Sequence, residues 1–464
     1  MDTVIPETAE HAKLAEDLAA KGVEYVFGSF IDINGRAKSK CVPVAHLPAL
    51  LAGHERYTPR GLGDLGRMTP NEDECVAMPD PSTITVLPWD TRMAWMAADL
   101  MYGGTEPFAH CTRSILKRQV DAGTEAGYIL NVGVETEIYA VKESSITDGS
   151  GYLTPGWRTG SLKPTQGYDV ESTLDAMSFL DPMVKYMNAT GFGVFSFDAE
   201  GGDGQYEFDF EYAPALEMSD KLTLFRLMAK QVAKEAGLFV TFMPKPYTGA
   251  WGSGAHYNMS LADAATGQNL FRDPDDPSGR GWSKAAYGFV AGVLRHSAAL
   301  AAICTPTVNS YKRLTPRLAD GTVSWAPVWA AYGDNNRSCM LRLPRNRPCI
   351  ENRGVDAAAN PYLAAAFLFA AGLEGVKEGL DPGDPVDDMI YDWQGDGPRG
   401  GDVSATRLPR TLLEAIEAFE ADPLTHSVFP SQFVEAYVGM KRAEWDEYHA
   451  QVTDWERQKY LELF

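Results

Sequence analysis

The sequence predicts an α+β protein in two parts, a small β-rich N-terminal unit and a larger unit of strands and helices. Three observations predict it. An Asn34-Gly35 pair lies between two runs of strand-forming residues, a strong hairpin signal. Beyond about residue 105, strand-like runs that carry acidic residues alternate with long amphipathic helical patterns. The last stretch, about 428–462, has helical patterning throughout.

Residues 8–20 read as a short amphipathic helix. The run EYVFGSFIDINGRAKSKCVPV at 24–44 reads as two strands around the Asn34-Gly35 turn, 54–71 as a Gly/Pro/Arg-rich loop, and 72–88 as short strands ending at Pro88-Trp89. The turn-rich MYGGTEPFAH at 101–110 then marks a boundary, dividing the chain into units 1–105 and 106–464. A helix over 111–126 opens the second unit, and further helices fall near 170–190, 216–236, 283–302, 357–376 and 410–422. The segment 381–407 is acidic and rich in Gly and Pro, and reads as a solvated connector.

A chain of 464 residues makes about two or three domains and buries a large core. Its net charge of −22 repels nucleic acid and anionic membranes, so neither is an expected partner. The six cysteines form no CxxC pair, which fits a reducing compartment without a disulfide framework or a zinc site. The N-terminus lacks a basic segment leading into an apolar run, and the longest strongly apolar stretch, near 363–372, is far too short to span a bilayer. The expected location is the cytoplasm.

The chemistry concentrates in four turn-rich segments: VGVETEIYA at 132–140, EGGDGQYEF at 200–208, FMPKPYTGAWGSGAHYNMS at 242–260, and three runs between 309 and 363. Glu135 and Glu137 alternate on a strand and share a face. Two such carboxylates repel unless a cation lies beside them, although a solvent-facing edge pair fits the same spacing. Glu200 and Glu207 flank a glycine-rich connection that brings both to one end of a hairpin; a polar hairpin tip is the plainer alternative. His256 follows Gly252-Ser253-Gly254, and Glu351 stands two residues before Arg353, where a simple ion pair is the plain reading. Five glutamates and one imidazole suit two Mg²⁺ or Mn²⁺ ions better than zinc, and Mg²⁺ held by carboxylates usually also holds substrate phosphates. Arg313, Arg337, Arg342 and Arg353 add guanidinium groups, which bind carboxylates and phosphates bidentately. The chain has no GxxxxGK[ST] run, so ATP, if used, is held without a P-loop.

The order ETE, E-x6-E around a hairpin, FMPKP…GSGAH, NSYKRL, NRS…RLP, E-x-R and D-x-x-x-NPYL resembles the glutamine synthetase family over nearly the whole chain. That resemblance implies an N-terminal β-grasp domain and a catalytic domain with an antiparallel sheet flanked by helices. It also implies a homo-oligomer, usually a dodecamer of two stacked hexamers, with each site between neighbouring subunits. By motif position, Glu137, Glu200 and Glu207 resemble ligands of the metal near glutamate; Glu135, His256 and Glu351 resemble those of the metal near the ATP phosphates. Gly252, Arg313 and Arg353 match glutamate-binding positions, and Arg337 and Arg342 match phosphate-binding ones, with Arg337 also beside glutamate. Asn258 and Ser260 match a stretch that meets ATP, although the family often has His where Asn258 stands. The implied catalytic set is Arg313, Arg337 and Glu207. The implied reaction forms γ-glutamyl phosphate from ATP and L-glutamate, and an amine then displaces phosphate.

Two departures concern the amine. Where ammonia-using members carry a DGSS-type loop, this chain has TPRGLGDLGRMTPN; Arg60 or Gly61 falls at the acidic position, with Asp64 nearby. In place of an acidic flap residue, an insertion places Trp325 before Ala326-Pro327. The pattern GxxxWAPxxxAYGxNNRS and a WE…Y…F ending resemble the γ-glutamylmethylamide-forming branch of the family. An alkylammonium favours one apolar wall, and an indole face attracts its charge, so Trp325 and Trp329 are candidate walls and Asp64 a candidate acid. Both tryptophans also fit plain packing of the flap. The expected substrate is methylamine or ethylamine. The alternatives are ammonia, a polyamine held by extra acids such as Asp334 or Asp64, and a non-catalytic relative that keeps the fold and rings, against which the six filled metal positions count.

Overall fold

In the N-terminal part, strand β1 (Tyr25–Ile31) turns at Asn34-Gly35 into β2 (Ala37–Lys38). Asp32 sets this turn: its Oδ1 accepts from the backbone N–H of Asn34 (3.0 Å) and Arg36 (2.9 Å), and Gly35 takes φ +74°. A left-handed position there is open to glycine at no steric cost. β3 (Cys41–Pro43), β4 (Arg56–Tyr57), β5 (Cys75–Pro79), β6 (Thr85–Val86), β7 (Met93–Tyr102) and β8 (Glu106–Pro107) complete a mixed sheet along the path β2-β1-β7-β5-β4, with β1 and β7 parallel. Helices α1 (Ala9–Ala20) and α2 (Leu47–Leu51) close one face through Leu18, Leu47 and Leu50 on Val26 and Met96. The computed structural model describes residues 6–58, 73–102, 106–143, 167–393 and 405–464.

The other face belongs to the main core. Phe30, Ile31 and Trp95 pack with α3 (Thr112–Glu125) and the sheet beyond it. A buried ion cluster fixes the junction: Arg113 donates to Asp220 twice (3.0 and 2.9 Å), to Asp99 (3.2 Å) and to Asp80 (2.9 Å). Removing one partner from such a cluster strands a buried charge, at a cost of about 3–5 kcal/mol.

The second sheet centres on the long strand β9 (Tyr128–Lys142). On one side lie β11 (Gln205–Phe210) and β10 (Val194–Ala199); on the other lie β14 (Ala255–Asp263), β18 (Ile350–Asn352), β17 (Leu341–Leu343) and β16 (Tyr332–Asp334). β12 (Ala213–Pro214) and β13 (Leu238–Thr241) also pair with β9, and every pair in this sheet is antiparallel except β16 with β17. β15 (Trp329–Ala330) and β19 (Thr406–Arg407) form a separate ribbon.

Helices cover the sheet: α4 (Val170–Asp175), α5 (Met177–Ala189), α6 (Ala215–Glu235), α7 (Lys284–Arg295), α8 (Ser297–Cys304), the short α9 (Ser310–Arg313) and α10 (Pro361–Glu378). The C-terminal region is helical as expected, in α11 (Leu412–Ala421), α12 (Pro423–Val428), α13 (Ser431–His449) and α14 (Asp454–Tyr460). The expected helix over 283–302 breaks at His296, whose ring is held between Asp422 and Glu374, each 2.8 Å away. Helix α10 starts at Pro361, not 357, because the Asn360 side chain caps the N–H groups of Tyr362 and Leu363.

One expectation needs correction. The segment 381–407 is not simply solvated: Val386, Ile390 and Tyr391 are buried in a cluster with Val328, Trp329 and Cys339. Its acidic composition hid three apolar residues that anchor it. All six cysteines are free. Among the described residues no single helix is long and apolar enough to cross a membrane.

Candidate active site

Strand register builds the site. Asp198, Glu207 and Glu137 face one another across β10, β11 and β9, forming one row. The next row is Asp209, Glu135 and His256 across β11, β9 and β14. Directly paired residues point to the same face, so antiparallel pairing stacks these side chains side by side. Asn258 lies two residues along β14 and is paired with Glu351, which Arg342 flanks on β17. The β10–β11 hairpin brings in Glu200.

This crowding perturbs every carboxylate. Burial and the charge of Glu200 push Glu137 up to about 7, against hydrogen bonds from Gln205 and the Gly254 N–H (both 2.9 Å). Burial, with Glu137 and Glu135 beside it, lifts Glu207 well above the ordinary range. Burial raises Asp209 to about 7 and Asp198 to about 6, with nearby glutamates adding to both. Glu135 goes the other way: burial opposes its ionisation, but His256 and Arg347, the latter at 2.9 Å, outweigh burial and hold it low. Burial and Arg353 depress His256 to about 4, so the imidazole is neutral near pH 7.

A buried acidic cluster beside a neutral imidazole is the donor set of a hard divalent cation. His256 Nδ1 is buried with no hydrogen-bond partner, 3.5 Å from Glu135 and 3.9 Å from Glu351. Glu135, Glu207 and His256 each offer a donor atom within 4.8 Å of the other two. That trio straddles the two triads expected from the sequence. The remaining three are engaged elsewhere: Glu351 accepts from Arg342 (2.6 Å) and Arg353 (2.5 Å), Glu137 from Gln205 and the Gly254 N–H, and Glu200 from the Gly201 N–H (3.2 Å). These residues fit bound cations.

The acids open into a cavity of about 630 Å³ that also receives Arg313, Arg337, Arg353 and Trp325. Arg313 and Arg353 are buried, yet Nη1 of the first and Nε of the second lack partners. Unpaired guanidinium N–H groups in a buried site are costly, and an anionic ligand satisfies them. Gly252 lines the cavity because nothing larger fits: a Cβ there meets the Pro244 carbonyl oxygen at 2.5 Å and Arg313 Cγ at 2.7 Å. Trp325 is 48% exposed and adopts φ +62°, and its carbonyl accepts from Arg353 at 3.3 Å.

Not every expected residue reaches this cavity. Trp329 is buried behind the flap against Trp393, with ring centroids 5.8 Å apart, and does not line the cavity; it packs the flap and forms no wall. Glu351, Asn258, Ser260 and Arg342 stand beside the cavity on β14, β17 and β18 without lining it; Asn258 donates to Glu135 at 3.0 Å. Asp64 lies outside the described residues. The cavity also contains residues that the sequence reading passed over: Asp198, Asp209, Arg347, Trp251 and Tyr168. Asp209 was within reach of the same alternation that pairs Glu135 with Glu137, since it stands two residues after Glu207. Trp251 packs so tightly on Gly201 that a Cβ there would meet its ring at 1.5 Å. Arg347 and Tyr168 carry no local signal.

Acids fit for cations, ringed by arginines with open N–H groups, define a site suited to metal-assisted transfer of an anionic group. Comparison with known proteins gives the class a family. The family model for the glutamine synthetase catalytic domain matches residues 109–460, and the chain belongs to that family as a ligase of the glutamine synthetase type. It is 37% identical over 447 residues to the glutamate–methylamine ligase of Methyloversatilis universalis, covering 95% of this chain and 97% of that one. It is 34% identical to the glutamine synthetase of Rhizobium meliloti, covering 96% and 98%. A solved GmaS/ADP complex superimposes with a TM-score of 0.85 at 33% identity, covering 97% of this chain and all of the other. The expected branch, the one that includes glutamate–methylamine ligase, agrees with these similarities.

Proposed function

We propose that this chain joins L-glutamate to a short alkylamine, methylamine foremost and ethylamine next, at the expense of ATP. The products are N-alkyl-L-glutamine, ADP and phosphate. The observation that carries the amine assignment is Trp325, whose half-exposed ring lines the cavity beside Ala326. An alkylammonium gains a cation–π contact there, worth about 0.5–2 kcal/mol, and an apolar neighbour for its methyl group. Similarity to the Methyloversatilis ligase supports the same reading.

In this reading Glu137, Glu200 and Glu207 hold one Mg²⁺ or Mn²⁺ ion, and Glu135, His256 and Glu351 hold another. Bound there, the cations neutralise charge on the transferring phosphoryl group. Arg313 and Arg353 clamp the glutamate carboxylates with their open N–H groups, and the bare backbone of Gly252 lets the substrate approach. Arg337, exposed at the cavity edge, donates to the phosphoryl oxygens and to glutamate. Arg342 acts through Glu351 and the phosphates, and Asn258 and Ser260 border the nucleotide. A glutamate γ-oxygen attacks the γ-phosphorus of ATP and ADP leaves. The free amine then attacks the carbonyl carbon, the C–O bond to phosphate breaks, and one amine proton is released. Closing the site over the substrates would protect the acyl phosphate from water. We place the enzyme in the cytoplasm as a ring homo-oligomer, two stacked hexamers, testable by analytical ultracentrifugation.

The test is a steady-state comparison of methylamine, ethylamine, putrescine and ammonia. Methylamine is expected to give the highest kcat/KM. A higher value for ammonia would favour the second reading, a glutamine synthetase, which the 34% identity to the Rhizobium enzyme supports.

A further inference from the structure

A second cavity, of about 560 Å³, lies between the β1–β2 turn and helix α6, with none of the site carboxylates in its lining. In a chain of net charge −22, its lining is cationic: Arg36 from the turn, and Arg226 and Lys230 one helical turn apart on α6. Arg226 donates only to backbone carbonyls, those of Ala357 (2.8 Å), Ala359 (2.7 Å) and Gly35 (3.5 Å). Among the described residues the Arg36 and Lys230 side chains form no ion pair; Asp32 bonds the Arg36 backbone N–H (2.9 Å), acts on its guanidinium only from a distance, and has Lys38 at 3.8 Å. The one acid of the lining, Glu444, is already used, accepting from the Val308 N–H (3.0 Å) and Lys441 (2.9 Å). The three cations stand close enough that Arg226 and Arg36 add to burial in holding Lys230 below its usual range. Like charges gathered on one cavity repel, and a bound anion is what relieves them.

We propose that this cavity binds a small organic anion, a carboxylate-bearing molecule with a short carbon body. Its volume is that of a small-molecule pocket, on the order of 300–1,000 Å³, and far exceeds what a bare oxyanion fills. Between the cations the lining is apolar, with Leu227, Phe242 and Val308, which suits a carbon chain better than inorganic phosphate. The site also borders the catalytic cavity. Pro244 lines it, and the Pro244 carbonyl accepts from the Ser253 N–H (2.8 Å) beside Gly252.

The test is calorimetric titration of succinate into the assembled full-length protein, wild type and R36E/K230E. Wild type should bind at a site that the double variant weakens at least about a hundredfold, since each lost charge-assisted contact is worth about tenfold. The variant's KM for glutamate should stay within twofold. Lys230→Met alone keeps the side chain's length and apolar stem, so the fold is retained, and should weaken succinate about tenfold. Succinate binding that is absent from the wild type, or unchanged in Lys230→Met, overturns the proposal. Inorganic phosphate that displaces succinate at equal concentration overturns the assignment to an organic anion.

Discussion

Gly252→Ala tests the glutamate-binding reading with one methyl group. The new Cβ would lie 2.5 Å from the Pro244 oxygen and 2.7 Å from Arg313 Cγ, where ordinary contact begins at 3.4 Å. Roughly 0.9 Å must be found, and misplacement of that order at a substrate-binding group costs about a hundredfold in rate. The carbonyl cannot yield, because it holds the Ser253 N–H at 2.8 Å, and Asn309 pins the same loop through both polar groups of the Lys245 backbone (2.7 and 3.0 Å). The backbone at 252 must therefore shift off the oxygen, which misplaces the bare edge that meets the substrate, and Arg313, anchored through its guanidinium by one bond to the Arg353 carbonyl (3.0 Å), must give by roughly a further 0.7 Å. Overpacking of this size costs about 1–3 kcal/mol of stability, so the protein still folds. The expected result is a kcat/KM for glutamate lower by about a hundredfold, with a melting temperature down by a few degrees. Gly249→Ala is the internal control: a Cβ there meets nothing within 4 Å, and activity should match wild type. Gly252→Ala within threefold of wild type, or an equal loss in Gly249→Ala, refutes the argument.

Three further outcomes are expected. Trp325→Glu should move the methylamine-to-ammonia ratio of kcat/KM toward ammonia by about tenfold, the worth of a lost cation–π contact plus a gained charge; an unchanged ratio means that Trp325 only packs the flap. Glu351→Gln removes the counter-charge shared by Arg342 and Arg353. It should nearly abolish activity and destabilise the protein by about 3–5 kcal/mol in thermal melts, and retained Mn²⁺-dependent activity would exclude Glu351 from the metal site. The pH prediction follows from Glu137, raised by burial and Glu200 to about 7 from 4.5. A raised carboxylate stabilises the metal-free fold fully below its unfolded pKa and loses that contribution as pH rises toward 7. A divalent cation must displace the proton, so metal affinity should fall about tenfold per pH unit per proton below pH 7. Melts with Mn²⁺ and with a chelator from pH 5 to 8 should therefore diverge as pH rises; a constant gap contradicts the assignment.

The acidic rows were legible because strand alternation is a local property. Glu135 and Glu137 two apart, and Glu200 and Glu207 across a glycine turn, require only a period of two and a hairpin. Register did the rest, opposing Glu207 to Glu137 and His256 to Glu135. Arg347 shows where local reasoning ends. It stands in a Pro-rich turn with no pattern, and only the β17–β18 connection carries it to Glu135, 212 residues away in the chain. Trp329 fails for a related reason. Four residues after Trp325 it looks like the same kind of side chain, yet Tyr391 and Trp393 from a segment that reads as solvent cover it.

This difference separates the two half-reactions. In the proposed reaction, activation of glutamate depends on charges whose positions strand register dictates, so a local pattern reaches them. In the same proposal, choice of amine depends on the flap, where Trp325 holds a left-handed backbone at φ +62°. For a bulky side chain that conformation costs about 1–3 kcal/mol and persists only when its surroundings impose it. Here the surroundings are the bond from Arg353 to the Trp325 carbonyl and the hydroxyl of Ser324 on the Thr315 carbonyl. Arg353 also contacts Glu351, so one guanidinium joins a residue of the proposed metal site to the backbone that aims the indole. A change at Arg353 should therefore raise KM for the amine as well as for glutamate, a coupling that a carboxylate clamp alone would not produce.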